Sequence, residues 1–423
     1  MKMAGRWTPA DQQESLYRYL PFEVPPGFAL QVRLAYDRSD AILDLGLLDP
    51  HGFRGWSGGE RDEVWITESW STPGYIVGPV TPGTWQVMLA LYRIPAGGIS
   101  FEVSIELHRT PPADPFLEPL DHVCPGAALP FRELPAPAGY RWLACDFHAH
   151  SIHSDGKLTL LQLAQLARRE GLDALAVTDH NTVSHHPLLA PTGAAAGLLL
   201  IPGQEVTTPA GHANCIGPVA WVDFRQHTDE WIATAGRDGG FVSLNHPTHP
   251  LYGWHRPLGR KPHAMELWHG EWDGRDLAPL EFFGETGCPV ALGGSDFHSS
   301  LGATLGQPTT FVLVADAATD EHPAAVASDG PTGTASLTCP CSSQEVVAAV
   351  AAGTTALAAS PRGPVALRVE DEIVVMDGEG LFLHCMEDNT KVPVHSPLAS
   401  FRARESIYHL RDSTQKTYAL VPR

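Results

Sequence analysis

The chain has 423 residues, of which 43% are hydrophobic and 18% charged, a composition typical of a globular protein with two or three domains. With 48 acidic and 28 basic residues the formal net charge is −20, which argues against a surface that follows long nucleic acid. There is no apolar run of about 18 residues or more and no apolar signal-peptide core near Met1. We therefore expect a cytoplasmic protein that does not enter a membrane.

The first part of the chain, residues 1–110, has the pattern of short β-strands. Its alternating or apolar stretches are LQVRLAY, AILDLGLL, TWQVMLALY and ISFEVSIEL, with turn-forming residues between them. This spacing predicts a β-sandwich. The stretches Asp44–Gly52 and Pro82–Val87 resemble the pre-peptidase C-terminal type of sandwich, and that resemblance brings no catalytic residue with it. We expect an accessory domain.

Residues 111–139 are rich in proline and predict an extended linker. From Tyr140 the pattern changes. RWLACDFHAH and DALAVTDH predict strands, and TLLQLAQLARRE between them predicts a helix that ends at Gly171, which makes a βαβ unit. Further apolar stretches follow in GLLLIPGQEV, HANCIGPVA, FVSLNHP, AMELWHG and PVALGGSDFH. About seven strands alternating with helices predict a (β/α) barrel over residues 140–368.

The C-terminal part contains three further segments. Residues 316–343 are small, polar and rich in proline and glycine, which predicts a surface insertion. The stretch SQEVVAAVAAGTTALAA then predicts a short amphipathic helix. Residues 369–423 have the pattern of several strands and predict a β-rich extension.

Histidine is concentrated in the middle of the chain, where fourteen of the 21 histidines lie between His148 and His298. Most of them follow an apolar stretch, as in DFHAH, VTDH, NHP, LWH and SDFH. Because the carboxyl ends of barrel strands meet at one face, we expect these side chains to converge there. Mixed histidine and carboxylate ligands suit zinc, manganese or iron.

Several of these positions suit metal binding for geometric reasons. His148 and His150 are two residues apart at a strand end, so both side chains point to one face, and Asp296 and His298 repeat that spacing. Glu205 ends another strand, and its two carboxylate oxygens could bridge two cations. The ordered series of candidate ligands is His148, His150, Asp155, His180, Glu205, His212, His246, Asp296 and His298.

This ordered series resembles the PHP family, named after polymerase and histidinol phosphatase domains. The matching signature stretches are Asp146–His150 with Ser154–Gly156, Thr178–His180, Asn245–Pro247 and Ser295–His298. The N-terminal β-domain, the Gly203–Glu205 stretch and the helix followed by Gly363-Pro364 are similar to the CehA/McbA (carbaryl-hydrolase-like) subfamily. The resemblance implies a distorted (β/α)7 TIM-like barrel, the PHP fold, that holds two to three divalent ions.

The resemblance also implies which residues hold each ion. The implied ligands are His148, His150, Glu205 and Asp296 for the first ion, Glu205, His212 and His246 for the second, and Asp155, His180 and His298 for the third. Of these, Glu205 and His246 are also expected to be catalytic. Asp179 is a third expected catalytic residue, because it precedes a ligand and is placed to orient that ligand or a bound water.

Substrate contacts are expected beyond the metal ligands. His249 and Arg256 follow the Asn245–Pro247 motif, and His269 ends a strand, so all three are expected to line the substrate pocket. Arg256, together with Arg260 and Lys261, could recognise phosphate. By contrast, His153 matches no ligand position, and we expect it, like His185, to lie at the surface.

These expectations define a metal-dependent hydrolase of a small-molecule substrate, most simply a phosphoesterase that uses a metal-bridging hydroxide at a di- or trinuclear site. A carboxylester or carbamate hydrolase of the carbaryl-hydrolase type is the first alternative. A non-enzymatic ligand-binding protein is the second, and the complete ligand series argues against it.

Overall fold

The computed structural model describes residues 1–120, 131–272, 274–316 and 341–423. Its contacts divide the chain into two units. The N-terminal unit contains Met1–Pro119 and two loops, Ile152–Asp155 and Asp179–Pro187. The larger unit contains Leu120–Ser151, Gly156–Thr178 and Leu188–Arg423. Almost all of the predicted insertion at 316–343 lies outside the described residues, as does part of the predicted linker.

The N-terminal unit is built from two antiparallel four-stranded sheets, ordered β1-β8-β3-β6 and β2-β7-β4-β5 in the described residues. The elements are β1 (Lys2–Trp7), α1 (Pro9–Glu14), β2 (Tyr17–Val24), β3 (Ala29–Tyr36), β4 (Ile42–Asp49), β5 (Gly52–Trp56), β6 (Glu63–Ile66), β7 (Gly83–Arg93) and β8 (Ile99–His108).

Both sheets contribute side chains to one apolar core. Leu30 and Val103 come from the first sheet and Leu45 and Trp85 from the second, and all four are fully buried. Along β8 buried residues alternate with more exposed ones, because successive side chains point to opposite faces of a strand. This is the layering that the predicted sandwich requires.

The larger unit contains a mixed 13-stranded sheet in the order β15-β14-β13-β12-β11-β10-β9-β16-β17-β24-β23-β20-β21, and a three-stranded sheet, β18-β19-β22, as far as the described residues show. Its first strands are β9 (Tyr140–Asp146), β10 (Ala174–Val177), β11 (Leu199–Thr208), β12 (Gly211–Ile216), β13 (Phe241–Leu244), β14 (Ala264–His269), β15 (Val290–Gly294), β16 (Thr309–Ala315) and β17 (Thr355–Ala358). The remaining strands are β18 (Val365–Val369), β19 (Glu372–Met376), β20 (Phe382–Cys385), β21 (Lys391–Pro393), β22 (Leu398–Arg402), β23 (Tyr408–Arg411) and β24 (Thr417–Val421). The helices are α2 (Leu160–Glu170), α3 (His186–Ala196), α4 (Thr228–Arg237), α5 (Ala278–Thr286) and α6 (Ser343–Ala351).

The predicted βαβ unit is confirmed, because β9 and β10 pair in parallel and α2 connects them. Thr159 caps the start of α2: its hydroxyl accepts from the backbone of Gln162, whose side chain accepts from the Thr159 backbone. The helix ends at Gly171, whose φ of 92° is the left-handed conformation that glycine adopts without strain.

The predicted alternation of parallel strands with helices is wrong at β12 and at β16. β12 pairs antiparallel with β11, because only Pro209 and Ala210 separate the two strands and a parallel crossover needs a dozen residues or more. β16 also runs antiparallel to its neighbour β9. The hydrogen-bonded order of the described strands starts at β15 and ends at β21, so the pairing itself does not show a closed barrel.

The helix predicted across SQEVVAAVAAGTTALAA is shorter than expected. Ser342 begins α6 with a capping box, and the helix ends at Ala351. The following Gly353 has a φ of 78°, and the chain then enters β17 rather than continuing as a helix. No helix in the described part of the chain is long and apolar enough to cross a membrane.

Candidate metal centre

The candidate ligands of the larger unit lie on or just after its strands. His148 and His150 follow β9, Glu205 lies in β11, His212 in β12, His246 follows β13, and Asp296 and His298 follow β15. A parallel bridge joins Ala149 to Phe297, and the His150 amide donates to the Phe297 carbonyl at 2.9 Å. This bridge sets the two turns that carry the paired ligands side by side.

A first group consists of His148, His150 and Asp296, whose ligand atoms all lie within 4.8 Å of one another. Nε2 of each histidine is 3.1 Å from Asp296 Oδ1. Glu205 lies beside both imidazoles, with Oε1 3.4 Å from His148 Nε2 and Oε2 3.5 Å from His150 Nε2. These are the four residues that the sequence resemblance implies for the first ion.

A second group consists of His148, Glu205 and His246. Glu205 Oε1 lies 3.5 Å from His246 Nε2 and 3.1 Å from His212 Nδ1. Glu205 Oε1 therefore lies beside His148, His212 and His246, and Oε2 lies beside His150. A carboxylate placed in this way could bind two ions at once.

The donor set fits a divalent transition metal. Imidazole nitrogens and carboxylate oxygens are the ligands that zinc, manganese and iron accept, and both groups are compact enough for one ion each. The nitrogens that face the carboxylates are Nε2 of His148, His150 and His246, and each lies within 3.5 Å of a carboxylate oxygen.

Charge also distinguishes this cluster from an ordinary core. Burial alone would lower the pKa of His148, but the carboxylates of Asp296, Glu205 and Glu266 outweigh it and raise that pKa well above its usual value. Burial would likewise raise the pKa of Asp296, whereas His148 and His150 hold it well below its usual range. The buried cluster therefore balances several carboxylates against imidazoles.

The sequence pattern did not identify Glu266, on β14, as a residue of the site. Its Oε1 accepts from His148 Nδ1 at 3.0 Å, and its Oε2 accepts from the backbone N–H of His246 at 2.6 Å. Gly294 leaves room for it, because a Cβ at that position would lie 2.3 Å from Glu266 Oε1. Glu266 thus supports two candidate ligands. In the sequence, the feature that could have indicated this role is a charged residue inside the apolar stretch AMELWHG.

Asp146, at the end of β9, organises the backbone beneath the cluster. Its Oδ1 accepts from the amides of His148 at 3.1 Å and Ser295 at 3.0 Å, and its Oδ2 accepts from Gly306 at 2.8 Å. The side chain is fully buried. One carboxylate therefore links the two turns that carry the paired ligands.

Replacing Asp146 with alanine should lower the free energy of unfolding by about 3 kcal/mol or more, because three N–H groups lose their acceptor in the core. Urea denaturation of ion-free protein would measure the change. Asp276→Ala is a suitable control, because exposed Asp276 accepts one backbone bond, from Ala278, and water can replace it. If the two losses were equal, Asp146 would not hold these turns.

Two candidate ligands have an unusual backbone conformation. His246 has a φ of 29° and Asp296 a φ of 53°, in the left-handed region that residues with side chains rarely adopt. Such strain costs about 1–3 kcal/mol per residue. Described residues outside the cluster, such as Glu370 and Asp377, share this conformation, so the strain by itself assigns no function to His246 and Asp296.

The N-terminal unit contains three further candidate residues. Asp155 Oδ1 lies 3.6 Å from His180 Nε2. Asp179 is fully buried, and its Oδ1 accepts from the Ser154 hydroxyl at 2.6 Å. Asp179 thus connects the loop that carries Asp155 to the loop that carries His180.

The surface positions predicted for His153 and His185 are wrong. His185 is fully buried, with Nδ1 3.4 Å from Asp179 Oδ2. His153 is buried against the Ser184 hydroxyl, which lies 2.8 Å from its Nδ1, and burial lowers the pKa of His153 to about 3. Short polar loops next to a metal motif suggested exposure, but here they pack against each other.

His249 and His269, two of the expected substrate contacts, lie near His246. Their ring centroids are 6.5 and 6.3 Å from that of His246. His249 stacks on Tyr252 and its Nε2 lies 2.8 Å from Glu271 Oε2. Tyr252, which was missed from the sequence, packs edge-on against His246 with centroids 4.7 Å apart. Contact of these side chains with substrate stays a proposal.

Arg256, the third expected contact, is held by framework groups. It donates to the Thr228 hydroxyl at 3.0 Å and the Gln226 carbonyl at 2.9 Å, and lies 4.4 Å above the Trp231 ring. Arg256 lines a cleft of about 530 Å³ together with Arg260 and Lys261. These bonds use guanidinium N–H groups to fix the position of Arg256. A role for Arg256 in binding phosphate stays a proposal.

Comparison with known proteins gives weak likenesses. No family model matches the chain, and no curated protein matches it. A two-domain protein of Bacteroides vulgatus containing a predicted PHP-like metal-dependent phosphoesterase is 18% identical with a TM-score of 0.43, over 70% of this chain and 99% of that one. A candidate metal-dependent phosphoesterase of Bifidobacterium adolescentis is 17% identical with a TM-score of 0.31, over 42% of this chain and 93% of that one.

The pre-peptidase C-terminal domain of a Bacillus anthracis collagenase is 11% identical with a TM-score of 0.18, over 25% of this chain and 88% of that one. At these scores the likenesses assign neither fold nor activity.

Proposed function

We propose that this protein is a metal-dependent hydrolase that acts as a phosphoesterase on a small-molecule substrate. The observation that carries the proposal is the convergence of four buried side chains, His148, His150, Glu205 and His246, with the partly buried Asp296, brought together from four strands. A purely structural core gains little from so many ionisable groups, because burying each of them is costly. The PHP-like order of these residues in the sequence agrees with this function, and we propose a barrel of that type.

The residues present would hold two ions and share one ligand. His148, His150 and Asp296 would hold the first ion, and His212 and His246 the second, with Glu205 between them. Two divalent ions held there would lower the pKa of a bound water and polarise the bond to be broken.

The chain's other residues prepare the site. Glu266 fixes the orientation of His148 through its Nδ1, which leaves Nε2 pointing at the carboxylates of Asp296 and Glu205. Asn245 Nδ2 donates to Glu205 Oε1 at 2.8 Å and restricts rotation of that carboxylate. Ligands held in this way need little rearrangement when an ion binds.

A third ion would be held by Asp155, His180 and His298. The 3.6 Å separation of Asp155 and His180 supports the first two of these ligands. Extra positive charge favours a phosphoester over a carboxylester or carbamate, since the phosphoester carries more negative charge during hydrolysis.

Metal removal tests the function directly. Chelated, metal-free protein should lose its activity, and zinc, manganese or iron should restore it, because the proposed reaction needs the ions to lower the pKa of the attacking water. Turnover would be measured on aryl phosphates, bis-aryl phosphates, aryl esters and aryl carbamates. A Glu205→Gln preparation purified in the same way controls for a contaminating hydrolase.

Phosphoester turnover should exceed ester and carbamate turnover. If carbamate or carboxylester turnover were larger, the proposed substrate class would be wrong, while the metal-dependent hydrolase would stand. Full activity in metal-free protein would contradict both.

A further inference from the structure

The N-terminal unit holds the two loops that carry Asp155 and His180. Besides residues 1–119, this unit contains Ile152–Asp155 and Asp179–Pro187. The bonds to these loops come from the turn between β5 and β6 and from the segment that follows β6. Residues 1–110 were expected to form an accessory domain, yet the unit that contains them also includes two proposed metal ligands.

Arg61 makes the first of these attachments. Its Nη1 donates to the carbonyl of Ser154 at 3.1 Å, and its Nη2 donates to the carbonyl of Ile152. Burial lowers the pKa of Arg61, whereas nearby acidic groups, including Asp179 and Asp155, favour its charged form. Two charge-assisted bonds from one planar guanidinium fix the backbone immediately before Asp155.

Gly74 makes the second attachment. Its N–H donates to the Ser184 hydroxyl at 3.0 Å, and its carbonyl accepts from the Thr182 hydroxyl at 2.8 Å. Gly74 has a φ of 98°, and a Cβ there would lie 3.0 Å from the carbonyl oxygen of His153. Only glycine lets the chain come this close to both loops.

The two loops are also joined to each other. The Ser184 hydroxyl bonded by Gly74 lies 2.8 Å from His153 Nδ1, and the Ser154 hydroxyl donates to Asp179 at 2.6 Å. Displacing the residues around Ser154 would therefore disturb the loop that carries His180 as well.

We propose that Arg61 is a positioning residue for the third metal ion. Through Arg61, the N-terminal unit holds Asp155 and His180 in position before that ion binds. The inference rests on the proposed function, since it needs that ion to exist. Residues that orient metal ligands without touching the metal typically change metal affinity by about 10–100-fold when removed. Loss of Arg61 should thus lower the affinity for one ion and leave the binding of the other two unchanged.

The test uses the full chain and four variants. Arg61→Met keeps the length of the side chain and removes both bonds, and Arg61→Lys restores a single charged donor. Arg33→Met is the matched control, because Arg33 lies on β3 of the same unit and makes an exposed ion pair with Glu63 at 2.9 Å. Asp155→Ala removes a proposed ligand directly.

Two measurements separate positioning from metal binding. Hydrogen exchange of peptides covering 151–157 and 179–186, in metal-free protein, reports whether the loops are held. Zinc per chain after dialysis, measured by atomic emission, reports the third ion. Arg61→Met should speed hydrogen exchange in both loops and lose about one zinc per chain, because Asp155 and His180 are no longer held in place before the ion binds. Asp155→Ala should also lose about one zinc per chain, because it lacks one of the proposed ligands. Arg61→Lys should fall between wild type and Arg61→Met, and Arg33→Met should match wild type in both measurements.

The contrary outcomes are distinct. Unchanged exchange in Arg61→Met would overturn the inference whatever the metal content. Loss of zinc in Asp155→Ala without loss in Arg61→Met would also overturn it and leave the proposed function intact. Full zinc content in Asp155→Ala would instead overturn the third ion of the proposed function, and the role of Arg61 with it. If Arg61→Met fails to fold, Arg61→Lys against wild type decides the question by the same two measurements.

Discussion

Glu205→Gln should lower kcat by about two orders of magnitude or more, because the variant loses the shared charge of a two-ion site. An amide offers one good ligand oxygen, and its NH2 group would face an imidazole. In the structure Oε1 lies 3.1 Å from His212 Nδ1 and Oε2 lies 3.5 Å from His150 Nε2, so either orientation of the amide loses one contact.

The measurement is turnover of the best phosphoester at saturating metal, together with metal content. Glu281→Gln on α5 is the control, because it makes the same chemical change at an exposed helix position. Circular dichroism and thermal unfolding would show that Glu205→Gln is folded. A folded Glu205→Gln with normal turnover and normal metal content would mean that Glu205 does not connect two ions.

The placement of the candidate ligands along the chain could be predicted where it depends on local chain geometry. A buried strand followed by histidine or aspartate is readable without any tertiary information, and the i, i+2 spacing of His148 and His150 already places both on one face. That Asp296 lies opposite them depends on the bridge between Ala149 and Phe297, which joins residues distant in sequence. The order of motifs predicted this proximity through a family resemblance.

The supporting roles of Glu266 and Asp146 could not be predicted in the same way. Both lie in strands, where a single acidic residue does not show which groups it will bond. Their roles arise from pairing: β14 lies between β13 and β15 and so brings Glu266 next to the turn that holds His246. Likewise, the burial of His185 depends on its packing beside Asp179, in a different part of the same loop.

The prediction of strand direction was wrong where a short connection between β11 and β12 replaces the expected helix. The pattern HANCIGPVA predicts a buried strand correctly but does not give its direction. The direction is set by the two-residue connection through Pro209 and Ala210, which is compatible with a hairpin and too short for a helical crossover. Reading that spacing would have predicted the hairpin, and with it the proximity of His212 to Glu205 across β11 and β12.

Removing Glu266 should weaken metal binding strongly even though its carboxylate is not a proposed ligand. Glu266→Ala leaves His148 Nδ1 and the His246 amide without their acceptor, so the His148 ring loses its fixed orientation and the turn that carries His246 loses a backbone bond. We expect the affinity for zinc to fall by about 100-fold for Glu266→Ala and about 10-fold for Glu266→Gln, whose amide oxygen can still accept one of the two bonds.

Competition with a chromophoric chelator would measure these affinities, with Glu281→Gln again as the control. Because Glu266 is buried, thermal unfolding of the ion-free variants must be compared as well. The near-isosteric Glu266→Gln preserves packing, so a loss of zinc affinity without a matching loss of stability assigns the effect to ligand orientation. If both Glu266→Ala and Glu266→Gln bound zinc as tightly as wild type, the orientation of His148 would not depend on Glu266. Its hydrogen bonds would then matter for folding alone.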